Sequence, residues 1–196
     1  MKNYKYFIIL LIPVLFLFSC GDSGSGSKDP TAEDYIVEGW EFFDADDMVS
    51  AETSFRNAIT TDATVAGAYS GLGWILALNK NFSEAITTWE SGIALEANNA
   101  DINAGLTVVY QATDELEECI ASGLKVVNNN PGYSFTHDTD VNEALIRGLM
   151  ASAYFGLQQY DNAATQMDTA VPANAPHSSA DLEVLLKAIM DYLGLQ

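Results

Sequence analysis

Apolar and small residues return along this chain with a fixed long period. Gly39-Trp40, Met48, Ala51 and Phe55 are matched 34 residues later by Gly73-Trp74, Phe82, Ala85 and Trp89. A further 34 residues on stand Thr107-Val108, Leu116 and Cys119, with Gly123 where a ring would fall. Inside each unit the apolar positions carry helical spacing: Tyr35, Ile36, Gly39, Trp40 and Phe43, then Met48, Ala51, Phe55, Ala58 and Ile59 in the first. Such a period predicts stacked helix pairs, each unit burying a face that it cannot bury alone. Thr31 and Asp47 read as N-caps of the first two helices, with Asp44-Ala45-Asp46 as the turn between them. Asn81, with Glu84 three residues on, reads as a capping box for the fourth helix. Gly73 and Ala85 are small where helices must approach closely.

The phase then slips. Ala163 follows Cys119 by 44 residues, ten more than the period, and the extra length lies around Gly132–Asp140. The units fall near 32–65, 66–99, 100–131 and 144–176, with an insertion at 132–143 that is free to lengthen the following helix. Beyond Pro172 and Pro176, Leu182, Leu185, Leu186, Ile189, Met190 and Leu193 predict one more amphipathic helix at 179–194. A single unpaired helix at the end of a stack closes it with a polar outer face.

Leu72-Gly73, Tyr110, Ala51 and Ala85, Phe55 and Trp89, Ala58 and the helix stop Pro131 stand in phase. On these residues the chain resembles the tetratricopeptide repeat (TPR) family. The resemblance implies an all-α, right-handed α-solenoid of about four TPR-like helix pairs with a C-terminal capping helix. It also implies a concave groove lined by the first helix of each pair, which receives a peptide or helix. The positions of this chain that would face it are Ile36, Trp40 and Phe43, then Ser70, Trp74, Ala77 and Leu78, then Ala104, Val108 and Gln111, and finally Ser152 and Phe155. That surface is apolar and aromatic. It lacks the Lys/Arg/Asn cluster by which some family members clamp a C-terminal carboxylate, so an apolar helix or extended segment is the expected occupant. Trp40 and Trp74 serve equally well as packing beneath neighbouring units, and their spacing does not choose between the two.

The N-terminus supplies an address. Lys2 and Lys5 precede an apolar run over 6–18, too short to span a bilayer but laid out as a secretory leader. Leu17-Phe18-Ser19-Cys20 resembles a bacterial lipobox, apart from the bulk of Phe18. By that resemblance residues 1–19 are removed and Cys20 is acylated, and several acyl chains hold the protein stably on a bilayer. Residues 20–30 then form a Gly/Ser-rich tether to a folded domain at 31–196. Gly21 after the cysteine favours the outer membrane, facing the periplasm, under the sorting rule of enteric bacteria.

Charge narrows the partners. With the leader gone, 27 acidic residues face only six basic ones, a net of −21. Such a surface repels nucleic acid and anionic lipid head groups. If Cys20 is acylated, Cys119 has no disulfide partner, and its place in the repeat, that of Ala51 and Ala85, makes it a small buried hydrophobe. Asp44, Asp46 and Asp47 lack the glycine and distal glutamate of a calcium loop. His137-Asp138-Thr139-Asp140 offers an imidazole and carboxylates but no second ligand at metal spacing, and His177 stands in a separate loop. No catalytic motif and no cofactor fingerprint is present. The expected function is a non-enzymatic, membrane-anchored adaptor that binds another cell-envelope protein or peptide segment. The alternative is an envelope binding protein for a small molecule, glycan or metal ion.

Overall fold

The structure is a computed structural model that describes residues 29–195. The proposed leader, the lipobox with Cys20 and most of the tether lie outside the described residues. Nine α-helices occur in these residues: α1 (Ala32–Asp44), α2 (Met48–Thr61), α3 (Ala66–Leu78), α4 (Phe82–Leu95), α5 (Ala100–Ala112), α6 (Leu116–Asn129), α7 (Glu143–Gly156), α8 (Tyr160–Ala170) and α9 (Leu182–Leu193). They pack as pairs, α1 with α2 through to α7 with α8, and each second helix leans on the first helix of the next unit. The first helices α1, α3, α5 and α7 also touch in succession, so they form a continuous inner layer. The architecture is an all-α solenoid. None of the helices among the described residues is long and apolar enough to cross a membrane.

The same turn closes every pair. Asp46, Lys80, Asp114 and Gln158 take left-handed backbone angles, φ 63°, 60°, 63° and 59°. The next amide reaches back five residues in each: Asp47 N to Phe42 O, Asn81 N to Leu76 O, Glu115 N to Tyr110 O, and Gln159 N to Tyr154 O, all 2.8–2.9 Å. This bond pattern satisfies carbonyls that the helix end leaves free, and it reverses the chain within three residues. Thr31 and Asp34 form a full capping box on α1, and the Asp47 carboxylate accepts from Ser50 N. The Ser50 hydroxyl, which donates to the same carboxylate (2.7 Å), and then the Ser50 amide hold the Asp47 carboxyl below its ordinary range. Asn81 departs from its expected role. Its amide donates to Glu84 (2.6 Å), which also accepts from Arg56 on α2 (3.1 Å), and no side chain caps α4.

The 34-residue period is written into the core as two rings, each held between two glycines. Phe55 on α2 presses against Gly39 of α1 and Gly71 of α3; Trp89 on α4 presses against Gly73 of α3 and Gly105 of α5. A Cβ at any of the four would lie inside van der Waals contact with the ring. The pairs Phe55/Trp89, Gly39/Gly73 and Gly71/Gly105 are each one period apart. Only glycine lets two successive inner helices close on one aromatic side chain. In the third unit Gly123 replaces the ring, and Met150 with Ile146 from α7 enter the space instead. Ala51, Ala85 and Cys119 are all fully buried at one repeat position. Burial pushes the Cys119 thiol up to about 12, so it is not a thiolate at neutral pH.

At the C-terminus α9 packs on α7 and α8 and forms a second, smaller core with Ala151, Ala163, Met167, Leu185 and Ile189. Its buried stripe is narrower than the sequence pattern suggests. Leu182 and Leu186 stay exposed, since no helix among the described residues packs over them. The insertion adds no more than one residue to α7, which begins at Glu143 with Asn142 as cap and has 14 residues against the 13 of α1, α3 and α5. The extra residues form a loop of their own.

Candidate functional site

The connections α2–α3 and α4–α5 take four residues each (62–65 and 96–99), whereas α6–α7 takes thirteen (130–142). That long loop is tied at its base. Glu143 N donates to Tyr133 O (2.8 Å), Ser134 and Asn142 form an antiparallel bridge, and Phe135 N donates to Val141 O (2.9 Å). Gly132, at φ 77°, turns the chain into it, and its amide donates to the Glu143 carboxylate, which Arg147 also holds. The Gly132 amide first, and Arg147 second, keep the Glu143 carboxyl below its usual range.

From this base the loop crosses the inner layer of helices. Extended backbone sends alternate side chains to one side. Tyr133, Phe135 and His137 accordingly face the array, while Ser134 and Thr136 are exposed. Tyr133 Oη donates to Asp101 Oδ1 at the start of α5 (2.9 Å). Phe135 is fully buried and stacks on Trp74 of α3, ring centroids 4.7 Å apart at 18°, with its edge toward Trp40 (5.7 Å). His137 lies flat on Trp40 of α1 (4.0 Å, 6°), meets Phe43 edge-on (6.0 Å), and places Nδ1 2.8 Å from Asp44 Oδ1 at the end of α1. The chain's own insertion therefore lies over the aromatic positions expected to line the groove.

Each expected groove residue has a definite place. Trp40, Phe43 and Trp74 come together around Phe135 and His137. Ile36 is half-buried against the core beside Gly67. Ser70, one turn before Trp74, is buried; its carbonyl accepts from Trp89 Nε1 (3.2 Å), while its Oγ and Trp74 Nε1 have no hydrogen-bond partner among the described residues. Leu78 stands 53% exposed at the end of α3. Val108 is half-buried on α5, and Gln111 ties α5 to α7 by donating to Ser152 Oγ (3.2 Å). Phe155 does not join the others; it packs edge-on to Tyr160 (5.1 Å), beside the C-terminal core. The loop residues Tyr133, Phe135 and His137, with Asp44 and Asp101 beneath them, were missed by repeat reasoning. Their signal is the alternation of three rings within five residues, the period of an extended segment with one buried face.

The loop's acidic residues do not gather around His137 as a metal site. Among the described residues no group of three or more His, Cys, Asp and Glu side chains is placed to hold a metal ion. What the cluster does have is one carboxylate with an unusual environment. Burial pushes the Asp101 carboxyl above its ordinary range, and the hydrogen bond from Tyr133 pulls it only part of the way back. A carboxyl with a raised folded-state pKa favours folding fully below its unfolded value, near 3.8, and loses that contribution as pH rises through the folded value. Asp101→Asn is expected to flatten this part of the stability–pH curve. Urea midpoints of the two proteins between pH 3.5 and pH 7 measure it, and parallel curves would exclude Asp101 as the source.

Comparison with solved structures agrees with the geometry. A tetratricopeptide repeat protein from Parabacteroides merdae superposes with a TM-score of 0.60 at 19% identity, over 83% of this chain and 60% of that one. This chain thus spans less than two thirds of that protein. YrrB, described as a TPR protein with an unusual peptide-binding site, gives 0.65 at 17% identity over 84% and 79%. MamA gives 0.59 at 20% over 83% and 81%. No protein-family model matches the chain, and no curated protein matches it. At such identities the likeness is one of fold, and the fold is the tetratricopeptide-repeat solenoid.

Proposed function

We propose that this chain is a protein-interaction module of the bacterial cell envelope, held to a membrane through acylated Cys20 and binding an apolar segment of another envelope protein along its inner helices. One observation carries the reading: the inner layer already holds an extended segment, by ring stacking on Trp40 and Trp74 and polar contacts at Asp44 and Asp101. Pockets for alternate side chains are the part of extended-peptide recognition that gives specificity. The peptide-binding site described for YrrB, on a solenoid of the same fold, supports it.

Photo-crosslinking in cells tests the interaction. A photoreactive residue at Leu78, by the inner layer, is expected to trap one protein; the same residue at Val49, 78% exposed on the second helix of its pair, is not. Equal crosslinking at both positions would remove the inner layer as the interaction face. Labelling with an alkynyl palmitate analogue tests the anchor, with complete loss of label and of membrane fractionation expected for Cys20→Ser.

A further inference from the structure

The geometry points to the 133–141 loop as an intramolecular ligand: it closes the groove against partners, and the segment that replaces it carries aromatic side chains at alternate positions followed by an imidazole or cation. This rests on the peptide-binding reading above. Four observations carry it.

First, the loop is chemically complete as a ligand. It presents an aromatic hydroxyl to Asp101, a ring to Trp74, and a flat imidazole that meets both the face of Trp40 and the carboxylate of Asp44. The third subsite suits a positive group, since an indole face and a carboxylate both attract one.

Second, the loop is not needed as a connection, and Tyr133, Phe135 and Val141 add to a core that the helices already share. α5, α6 and α7 contact one another directly, and neighbouring units are joined elsewhere by four-residue turns, so the additional residues are not needed to connect them.

Third, the loop's base is closed by its own hydrogen bonds at Gly132, Tyr133 and Glu143. Its tip is thus tethered a few residues from the groove, and a ligand presented this way acts at high effective concentration. A free partner meets an open groove only in the fraction of molecules with the loop displaced, and its apparent affinity falls by that fraction.

Fourth, closure by the loop leaves a polar group unmatched. Trp74 Nε1, on the ring that Phe135 covers, is buried without a hydrogen-bond partner among the described residues. Buried groups without partners weaken the closed state relative to an occupant that satisfies them, and a peptide with a carbonyl over α3 would do so. The loop holds the groove without matching it fully.

A fluorescent peptide of residues 132–142, added to the intact protein and to a variant with residues 133–141 replaced by Gly-Ser-Gly-Ser, tests this. The variant is expected to bind the peptide at least about 100-fold more tightly than the intact chain, as follows if the loop is open in about 1% of molecules or fewer. Phe135→Ala in the peptide should abolish most of that binding. If the shortened variant does not fold, the loop variant Tyr133→Ala/Phe135→Ala/His137→Ala, which keeps the native length, takes its place. A folded variant that ignores the peptide, or an intact protein that binds it equally well, overturns the proposal. So does a dimer of the intact chain that dissociates on shortening the loop, because the loop would then occupy the groove of a second copy. The outcome is independent of the crosslinking at Leu78. Peptide binding without a cellular partner would sink only the functional reading, and a partner without peptide binding only this one.

Discussion

Trp89→Ala is expected to lower the unfolding free energy by about 3–5 kcal/mol, the cost of truncating a large ring in a packed core. Trp89 is fully buried, donates from Nε1 to Ser70 O, and fills the space between Gly73 on α3 and Gly105 on α5. Neither glycine can move into the vacated volume, and the two inner helices are held apart by the rest of their interface. The cavity therefore persists, which puts the loss toward the upper part of the range. The same geometry predicts a reversal of sign. In the native background Gly105→Ala drives a Cβ into the indole and should destabilise, even though alanine favours a helix over glycine by about 1 kcal/mol. In the Trp89→Ala background the obstruction is gone and the same change should stabilise. Equilibrium urea unfolding of the four proteins measures both effects. A Gly105→Ala change with the same sign in both backgrounds would show that the glycine is there for some reason other than the ring.

That core was legible because its cause is periodic. A ring that needs a glycine on either side must repeat with the unit, so Phe55/Trp89, Gly39/Gly73 and the small residues Ala51, Ala85 and Cys119 appear in the sequence at the same interval. Thr31 and Asp47 were readable for a similar reason, because a cap acts on the next three residues. Contacts between residues far apart, outside the period, left no such trace. His137 sits 97 residues from Trp40, and nothing in a repeat pattern ties an insertion to the face of the first unit. Its neighbours Asp138 and Asp140 directed attention to metal ligation, whereas the informative residues were Tyr133 and Phe135 before it. The exposed stripe of α9 failed for another reason: an amphipathic pattern shows which side is apolar, not how much of it a neighbour covers.

The largest effect expected in the loop is that of Phe135→Ala, and its form separates a movable ligand from a fixed piece of core. Phe135 is as buried as Trp89 and touches both Trp40 and Trp74. In a rigid core its truncation would likewise cost about 3–5 kcal/mol of global stability. A loop that can open has an alternative. The open form makes none of the Phe135 contacts, so the substitution leaves it untouched, and the global loss cannot exceed the free energy with which the loop closes. Beyond that ceiling the molecule opens locally and keeps its helices. Hydrogen exchange reads the difference residue by residue. The amides of Phe135 and Val141, bonded to Val141 O and Asp138 O, should lose their protection in Phe135→Ala. Amides of α3 and α4, whose bonds lie within the array, should keep theirs, whereas Trp89→Ala should weaken them. If Phe135→Ala instead lowered protection across α1 to α5 as far as Trp89→Ala does, opening of the loop would be inseparable from unfolding of the array. The groove would then be a closed core, and any partner would have to be sought on the outer helices.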